Sequence, residues 1–216
     1  MRKGIAISAS GAAALAVLAT AFPAVAASAP RPVPGPGGVT IEIANMSGSG
    51  CRPGTAEAVL SADRETFTIA YSGFTARVGG ASAPTDARKV CQISLKVNVP
   101  PRFTYAISEV QYRLGADLQP GAKAAQRSGH HLQGGPPATI TTVNLAGPQN
   151  DDFQVVVRTP VERLVWKPCD LERDLGVNTE LRADLGTSDP SKVSSISMNA
   201  DGGNRTRYHF AWKQCA

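Results

Sequence analysis

Four carboxylates, Glu109, Asp117, Glu162 and Glu180, stand on or beside stretches whose alternation predicts strands. Two such groups facing each other across a groove, about 5 to 9 Å apart, are what glycoside cleavage requires. Glu109 adjoins a break in the alternation, where a bulge re-aims side chains. Ser195, Asp201 and His209 could be read as nucleophile, orienter and base, but no G-x-S-x-G elbow accompanies them. His130 and His131 are neighbours and on a strand point to opposite faces, with no carboxylate close in sequence, so they do not converge on a metal. Asn150-Asp151-Asp152 and the stretch 199–204 are oxygen-rich but lack the ligand spacing of an EF-hand, and turn formation accounts for both. Neither a cofactor nor a metal is expected.

Recognition is a more natural task for these residues than catalysis. Tyr105, Tyr112, Trp166, Tyr208 and Trp212 supply aromatic planes of the kind that bind sugars or peptides. Most alternate with polar residues and so belong to a core, yet two facing solvent side by side would make a binding surface. Trp166, Trp212, Tyr112 and Glu109 are the candidate ligand-binding residues. Arg207, His209 and Lys213 share the wetter face of the last predicted strand and would attract anionic polymers weakly.

The first residues read as an export signal over 1–27. Arg2 and Lys3 precede an apolar run from Ile5 to Val25, and Ala24-Val25-Ala26 fits the small-residue cleavage rule. Nothing later is long and apolar enough to span a bilayer. Without Arg2 and Lys3 the chain keeps 20 Lys and Arg against 17 Asp and Glu, a net charge of +3. That weak excess is spread without a dense basic run, which argues against a nucleic-acid reader.

Cys51, Cys91, Cys169 and Cys215 all lie in the exported part, and an even count in an oxidising compartment points to two disulfides. Three connectivities are open. Cys51 with Cys91 and Cys169 with Cys215 is favoured, since each pair brackets a compact run of strands and closes a loop of about 40 residues. A zinc site would want a C-x-x-C spacing, which is missing.

The elements that must position these residues are short strands. Cys91, Ile93, Leu95, Val97 and Val99 alternate with polar residues, Pro100-Pro101 interrupts, and Phe103, Tyr105 and Ile107 resume the pattern, predicting an antiparallel pair about a short turn. The apolar set then changes parity from Ile107 to Val110, Tyr112 and Leu114, which predicts a β-bulge near Ser108 and Glu109. Ala56–Leu60 and Thr66–Ser72 read as a hairpin, and Val193–Asn199 with Thr206–Lys213 as another about Asp201-Gly202. Further strands are predicted over Val39–Ala44, Ala138–Val143, Phe153–Thr159, Arg163–Lys167 and Val177–Leu185. Ala122–Gln133 is predicted as an edge strand or loop, and Thr85–Lys89 and Leu171–Leu175 as short helical turns. The expected fold is all-β, an antiparallel two-sheet, jelly-roll-like β-sandwich over 39–215, behind a Pro/Gly-rich flexible linker at 28–38.

Gly48-Ser-Gly-Cys51, Arg88-Lys-Val-Cys91-Gln, Val165-Trp-Lys-Pro-Cys169 and Phe210-Ala-Trp-Lys-Gln-Cys215, in that order, resemble the secreted bacterial and fungal proteins grouped as domain of unknown function 4360. The resemblance spans Val39–Cys215 and implies export and a disulfide-stapled β fold, with no active site to carry over. The reading is a secreted, monomeric, non-catalytic module for an extracellular glycan or protein. The alternatives are a polysaccharide hydrolase with paired carboxylates and a protease inhibitor presenting a loop such as Ser47–Gly54.

Overall fold

The computed structural model describes residues 35–136, 139–198, 203 and 205–215. The strands are β1 (Thr40–Ser47), β2 (Ala56–Leu60), β3 (Thr66–Tyr71), β4 (Thr75–Val78), β5 (Arg88–Asn98), β6 (Phe103–Leu118), β7 (Lys123–Leu132), β8 (Thr141–Ala146), β9 (Gln149–Arg158), β10 (Leu175–Asp184), β11 (Ser194–Ser197) and β12 (Arg205–Gln214). Helical structure among the described residues is confined to the 3₁₀ turns Pro84–Asp86 and Val161–Arg163. The export signal predicted over 1–27 lies outside the described residues. Of the linker, Gly35 donates its N–H to the Glu65 carboxylate at 2.7 Å and Pro36 is buried, so ordered contacts begin ahead of Val39.

Two antiparallel sheets face each other. The first runs β1, β5, β10, β7, β8. In the second, residues 109–112 of β6 pair with β12 and β9 at once, and 115–117 with β11 and β9. A strand has two edges, so β12 and β11 lie end to end along one edge of β6 while β9 takes the other. β3 and β4 lie end to end beyond them, and β2 closes that side.

This arrangement corrects two expected hairpins. Val193–Asn199 and Thr206–Lys213 do not fold back on each other: β11 and β12 are two parts of one interrupted strand, and 199–202, which held the turn signal, fall outside the described residues. β5 and β6 do not pair either, since β5 lies between β1 and β10 while β6 belongs to the opposite sheet. Pro100 and Pro101, with Arg102 at φ 73°, carry the chain from one layer to the other. Alternation says that two strands bury one face each, and two such faces can meet across a core as well as within a sheet. The β2–β3 hairpin formed as expected.

Three smaller expectations also change. Ala122–Gln133 is no edge, because β7 sits between β10 and β8. Its inward face carries Gln126 and Ser128, whose polarity is met inside in part: the Gln126 amide donates to Ser128 Oγ, which donates to Thr179 Oγ1 at 3.2 Å, while Gln126 Oε1 is buried without a partner. Arg163–Lys167 leaves a 3₁₀ turn and runs extended without a full ladder, Lys167 N–H reaching the Tyr105 carbonyl at 2.9 Å. Leu171–Leu175 is a non-helical lead into β10.

The core fills the space between the sheets. Cys91, Ile93, Leu95 and Val97 of β5, with Leu175, Val177, Leu181 and Ala183 of β10, oppose Phe67, Ile69, Tyr71, Val110, Tyr112, Leu114, Tyr208, Phe210 and Trp212. Phe67 stacks on Tyr208 at 4.7 Å with planes 4° apart, and Tyr105 meets Phe210 edge to face at 5.3 Å. Disulfides join Cys51 to Cys91 and Cys169 to Cys215, spanning 40 and 46 residues.

The bulge is at Ser108. Glu109 stands opposite His209 and Ile107 opposite Phe210, leaving Ser108 as the extra residue. Its hydroxyl reaches the carbonyls of His209 at 3.2 Å and Phe210 at 3.4 Å, and its own carbonyl accepts from Thr159 N–H at 2.8 Å. Both apolar sets of β6 thereby face inward. Ser108→Ala is expected to cost about 1 kcal/mol in urea unfolding. Deleting Ser108 turns one apolar set to water, so no cooperative transition is expected from that chain.

Candidate functional site

The bulge also decides which β6 side chains reach the outer face of the second sheet. Beyond it, Glu109, Gln111, Arg113 and Asp117 point away from the core, while Val110, Tyr112 and Leu114 point in. On β12, Arg205, Arg207 and His209 take the outer positions between buried Thr206, Tyr208 and Phe210. Registers align these into cross-strand rows. One reads Val59, Thr68, Arg207, Gln111, Val156, apolar at both ends and polar in the middle. Val59 is 54% and Val156 37% exposed. Next to that row, Gln154 stands opposite Arg113 and Glu57 opposite Ala70, itself opposite Arg205.

Between these rows lies a groove of about 500 Å³, lined by Glu57, Val59, Thr66, Thr68, Gln111, Arg113, Gln154, Arg205 and Arg207. Amides and guanidiniums predominate among its polar groups. The guanidiniums and the Gln154 amide each offer two or more N–H donors in a plane, suited to neighbouring oxygens on one ligand, while the Gln111 amide nitrogen is turned to Glu109 and His209.

Glu109 sits at the end of this face in a closed network. It accepts from the Gln111 amide at 2.6 Å, pairs with Arg158 Nε at 2.7 Å and has His209 Nε2 at 3.6 Å. The Gln111 amide first, then Arg158 and His209, hold its carboxyl below the usual range against the burial that would raise it. Glycosidase acids need the opposite shift. Glu180 is likewise depressed: burial raises it, but bonds from Arg88 and Arg182 win. Glu162 is an exposed residue of the second 3₁₀ turn. Asp117, Asp151 and Asp152 border a separate depression of about 430 Å³ with Ser195 and Ser197, all three carboxylates exposed and without the apolar enclosure a general acid uses.

The other expected site residues disperse. Trp212 is 3% and Tyr112 2% exposed, both on the inner face, so neither can stack on a ligand. Trp212 Nε1 donates to the Arg64 carbonyl at 3.2 Å, and burial pushes the Tyr112 phenol up to about 12. Trp166 is half-buried with Lys213 Nζ 4.4 Å from its ring centroid, which already occupies that face. Ser195 pairs with Asp117 and His209 with Glu109, eight positions apart along β6, or roughly 27 Å; Asp201 is outside the described residues. No triad forms there. His130 and His131 stand opposite Val177 and Gly176, and the His131 ring lies where a Cβ on Gly176 would come within 2.5 Å of it. Among the described residues no His, Cys, Asp or Glu cluster could hold a metal. The Ser47–Gly54 loop is anchored at its middle, where Gly50 N–H bonds the Val90 carbonyl at 2.8 Å and a Cβ on Gly50 would be 2.2 Å from the Phe74 ring, while Ser47–Ser49 and Arg52–Gly54 are exposed.

Arg113, Arg205, Gln111 and Gln154 escaped the sequence reading. The signal was the parity change: carried past Ser108, it puts Gln111 and Arg113 on the same side as Arg207.

Residues 37–215 match the family described as domain of unknown function 4360. The chain belongs to that family. It is 28% identical over 168 residues to an uncharacterized secreted protein of Arthroderma benhamiae, covering 78% of this chain and 68% of that one. Secretion suits a family member whose four cysteines are all paired. Among solved structures the chain is similar to TmCBM61 in complex with beta-1,4-galactotriose, at 8% identity and a TM-score of 0.30 over 83% of this chain and 90% of that one. It is also similar to a carbohydrate-binding module of the beta-sandwich superfamily, at 12% identity and a TM-score of 0.25 over 82% and 58%. Scores this low carry no argument about ligand or site.

Proposed function

We propose that this secreted chain is a non-catalytic module that holds an extracellular glycan across the outer face of its second sheet. The supporting observation is the groove in which Gln111, Gln154 and three arginines meet on a sheet face edged by Val59 and Val156. A glycan presents hydroxyls around its rim and C–H faces above and below. The guanidiniums and the Gln154 amide suit the first, the valines the second.

Affinity electrophoresis of the signal-free chain through gels containing neutral or acidic polysaccharides tests the proposal. Retardation by at least one is expected, with the paired change Gln111→Ala and Gln154→Ala weakening it about tenfold, and no new reducing ends after prolonged incubation. Free migration through every gel, or retardation that the pair leaves unchanged, removes the groove as the site.

A further inference from the structure

We infer that the glycan held in this groove carries carboxylates along its length, as a polyuronate does. The inference rests on the glycan-binding reading and adds the charge of the ligand. Arg113, Arg205 and Arg207 all line the groove and are exposed. None of the three has an ion-pair partner among the described residues; Arg52, Arg64, Arg102, Arg127, Arg163 and Arg173 likewise stand outside the ion pairs there, so what distinguishes these three is that they gather in one groove. Glu57, on the outermost strand, is the lone carboxylate among the lining residues.

This clustering is not the by-product of a basic chain, since the whole sequence holds 22 Lys and Arg against 17 Asp and Glu. It is local. Arg205 and Arg207 are two positions apart on one face, about 7 Å along the strand. Arg113 follows the residue of β6 that pairs with Thr206, which brings it across from Arg205 and diagonal to Arg207, whose partner is Gln111. Like charges at neighbouring positions destabilise a sheet, and acidic residues that could have relieved them lie elsewhere on the face. Glu109 is committed to Arg158, and Asp117 borders the other depression. An arrangement that leaves three guanidinium forks unpaired in one groove is complementary to a row of anions. The planar carboxylate accepts both N–H groups of a fork in parallel. The Gln154 amide stands beside the forks, where sugar hydroxyls flank each carboxylate.

The test compares polygalacturonate with the same polymer fully methyl-esterified, by affinity electrophoresis and titration calorimetry of the signal-free chain. The free acid is expected to bind at least tenfold more tightly than the ester, and to weaken as sodium chloride rises from 20 to 300 mM. Arg205→Gln and Arg207→Gln should each weaken it about tenfold, and Arg113→Lys, which keeps the charge but not the fork, should weaken it as well. Arg127→Gln removes the same charge from the outer face of the first sheet and should bind as the parent does. Equal binding of acid and ester overturns the inference while leaving the glycan reading intact; binding of neither polymer, with no other polysaccharide retained, overturns both. Tighter binding of a sulfated glycan or of DNA, or an Arg127→Gln loss as large as that of Arg207→Gln, also overturns it, by showing a general response to negative charge.

Discussion

Replacing Cys51 and Cys91 together by alanine is expected to lower the free energy of unfolding by about 4 kcal/mol. The bridge closes a 40-residue loop, and a cross-link of that span removes a corresponding amount of conformational freedom from the unfolded chain. Both cysteines are buried, and Cys91 lies on β5, so the bridge ties the loop ahead of β2, at the edge of the second sheet, to the interior of the first. The Cys169–Cys215 bridge closes 46 residues and should cost a similar amount. The two loops share no residues, so the costs are expected to add. Their sum, about 8 kcal/mol, is comparable with the whole stability of an ordinary domain, and the chain lacking all four cysteines should show no cooperative transition. Urea unfolding of the parent and the two paired variants measures this. A loss under about 1 kcal/mol for the first pair would mean that the hydrogen bond from Gly50 N–H to the Val90 carbonyl already holds the loop in place without the sulfurs.

The sequence was legible where a single strand's own pattern decides the outcome. The parity change from Ile107 to Val110 located the bulge, because only an extra residue lets both sets face inward, and the structure puts it at Ser108. The alternation of Cys91 to Val97 and of Val177 to Ala183 gave the buried faces of β5 and β10. Partner choice was not legible. The Pro100-Pro101 break looks the same whether the chain turns within a sheet or crosses between sheets, and an Asp-Gly pair suits a hairpin turn and an interruption in one strand equally well. β7 was expected at an edge, or as a loop, for a different reason: Gln126 and Ser128 face the core, and polar residues turned indoors read as surface from sequence. The candidate site suffered similarly. The aromatics drew attention as binding planes, but Tyr112 and Trp212 alternate with outward polar residues and are core for that reason, while the arginines between them make the face.

Acidification from pH 7.5 to 4.5 is expected to cost the folded state about 2 to 3 kcal/mol through His130 alone. This side chain lies on β7 opposite Val177, with its ring edge-on to Tyr208 at 6.3 Å, and borders a small recess with Tyr105, His131 and Arg163. Burial first, and then the neighbouring His131, lower its pKa from 6.5 to about 4. The folded state therefore keeps the imidazole neutral where the unfolded chain binds a proton. Stability is complete above pH 6.5, falls as the pH drops toward 4 and levels off below. Glu109 and Glu180 act in a lower window. Their folded pKa values are depressed, so what they contribute is present above the ordinary carboxylate pKa near 4.5 and disappears beneath it. Between pH 6.5 and 4.5 the slope thus belongs to His130, and His130→Phe, which keeps a ring in the same space, should flatten it. Urea midpoints for parent and variant at half-unit pH steps give the two curves. Curves that stay parallel through that window would show that the imidazole takes up its proton in the folded state as readily as in the unfolded one, and that the recess beside Tyr105 and Arg163 admits enough water to solvate the charge.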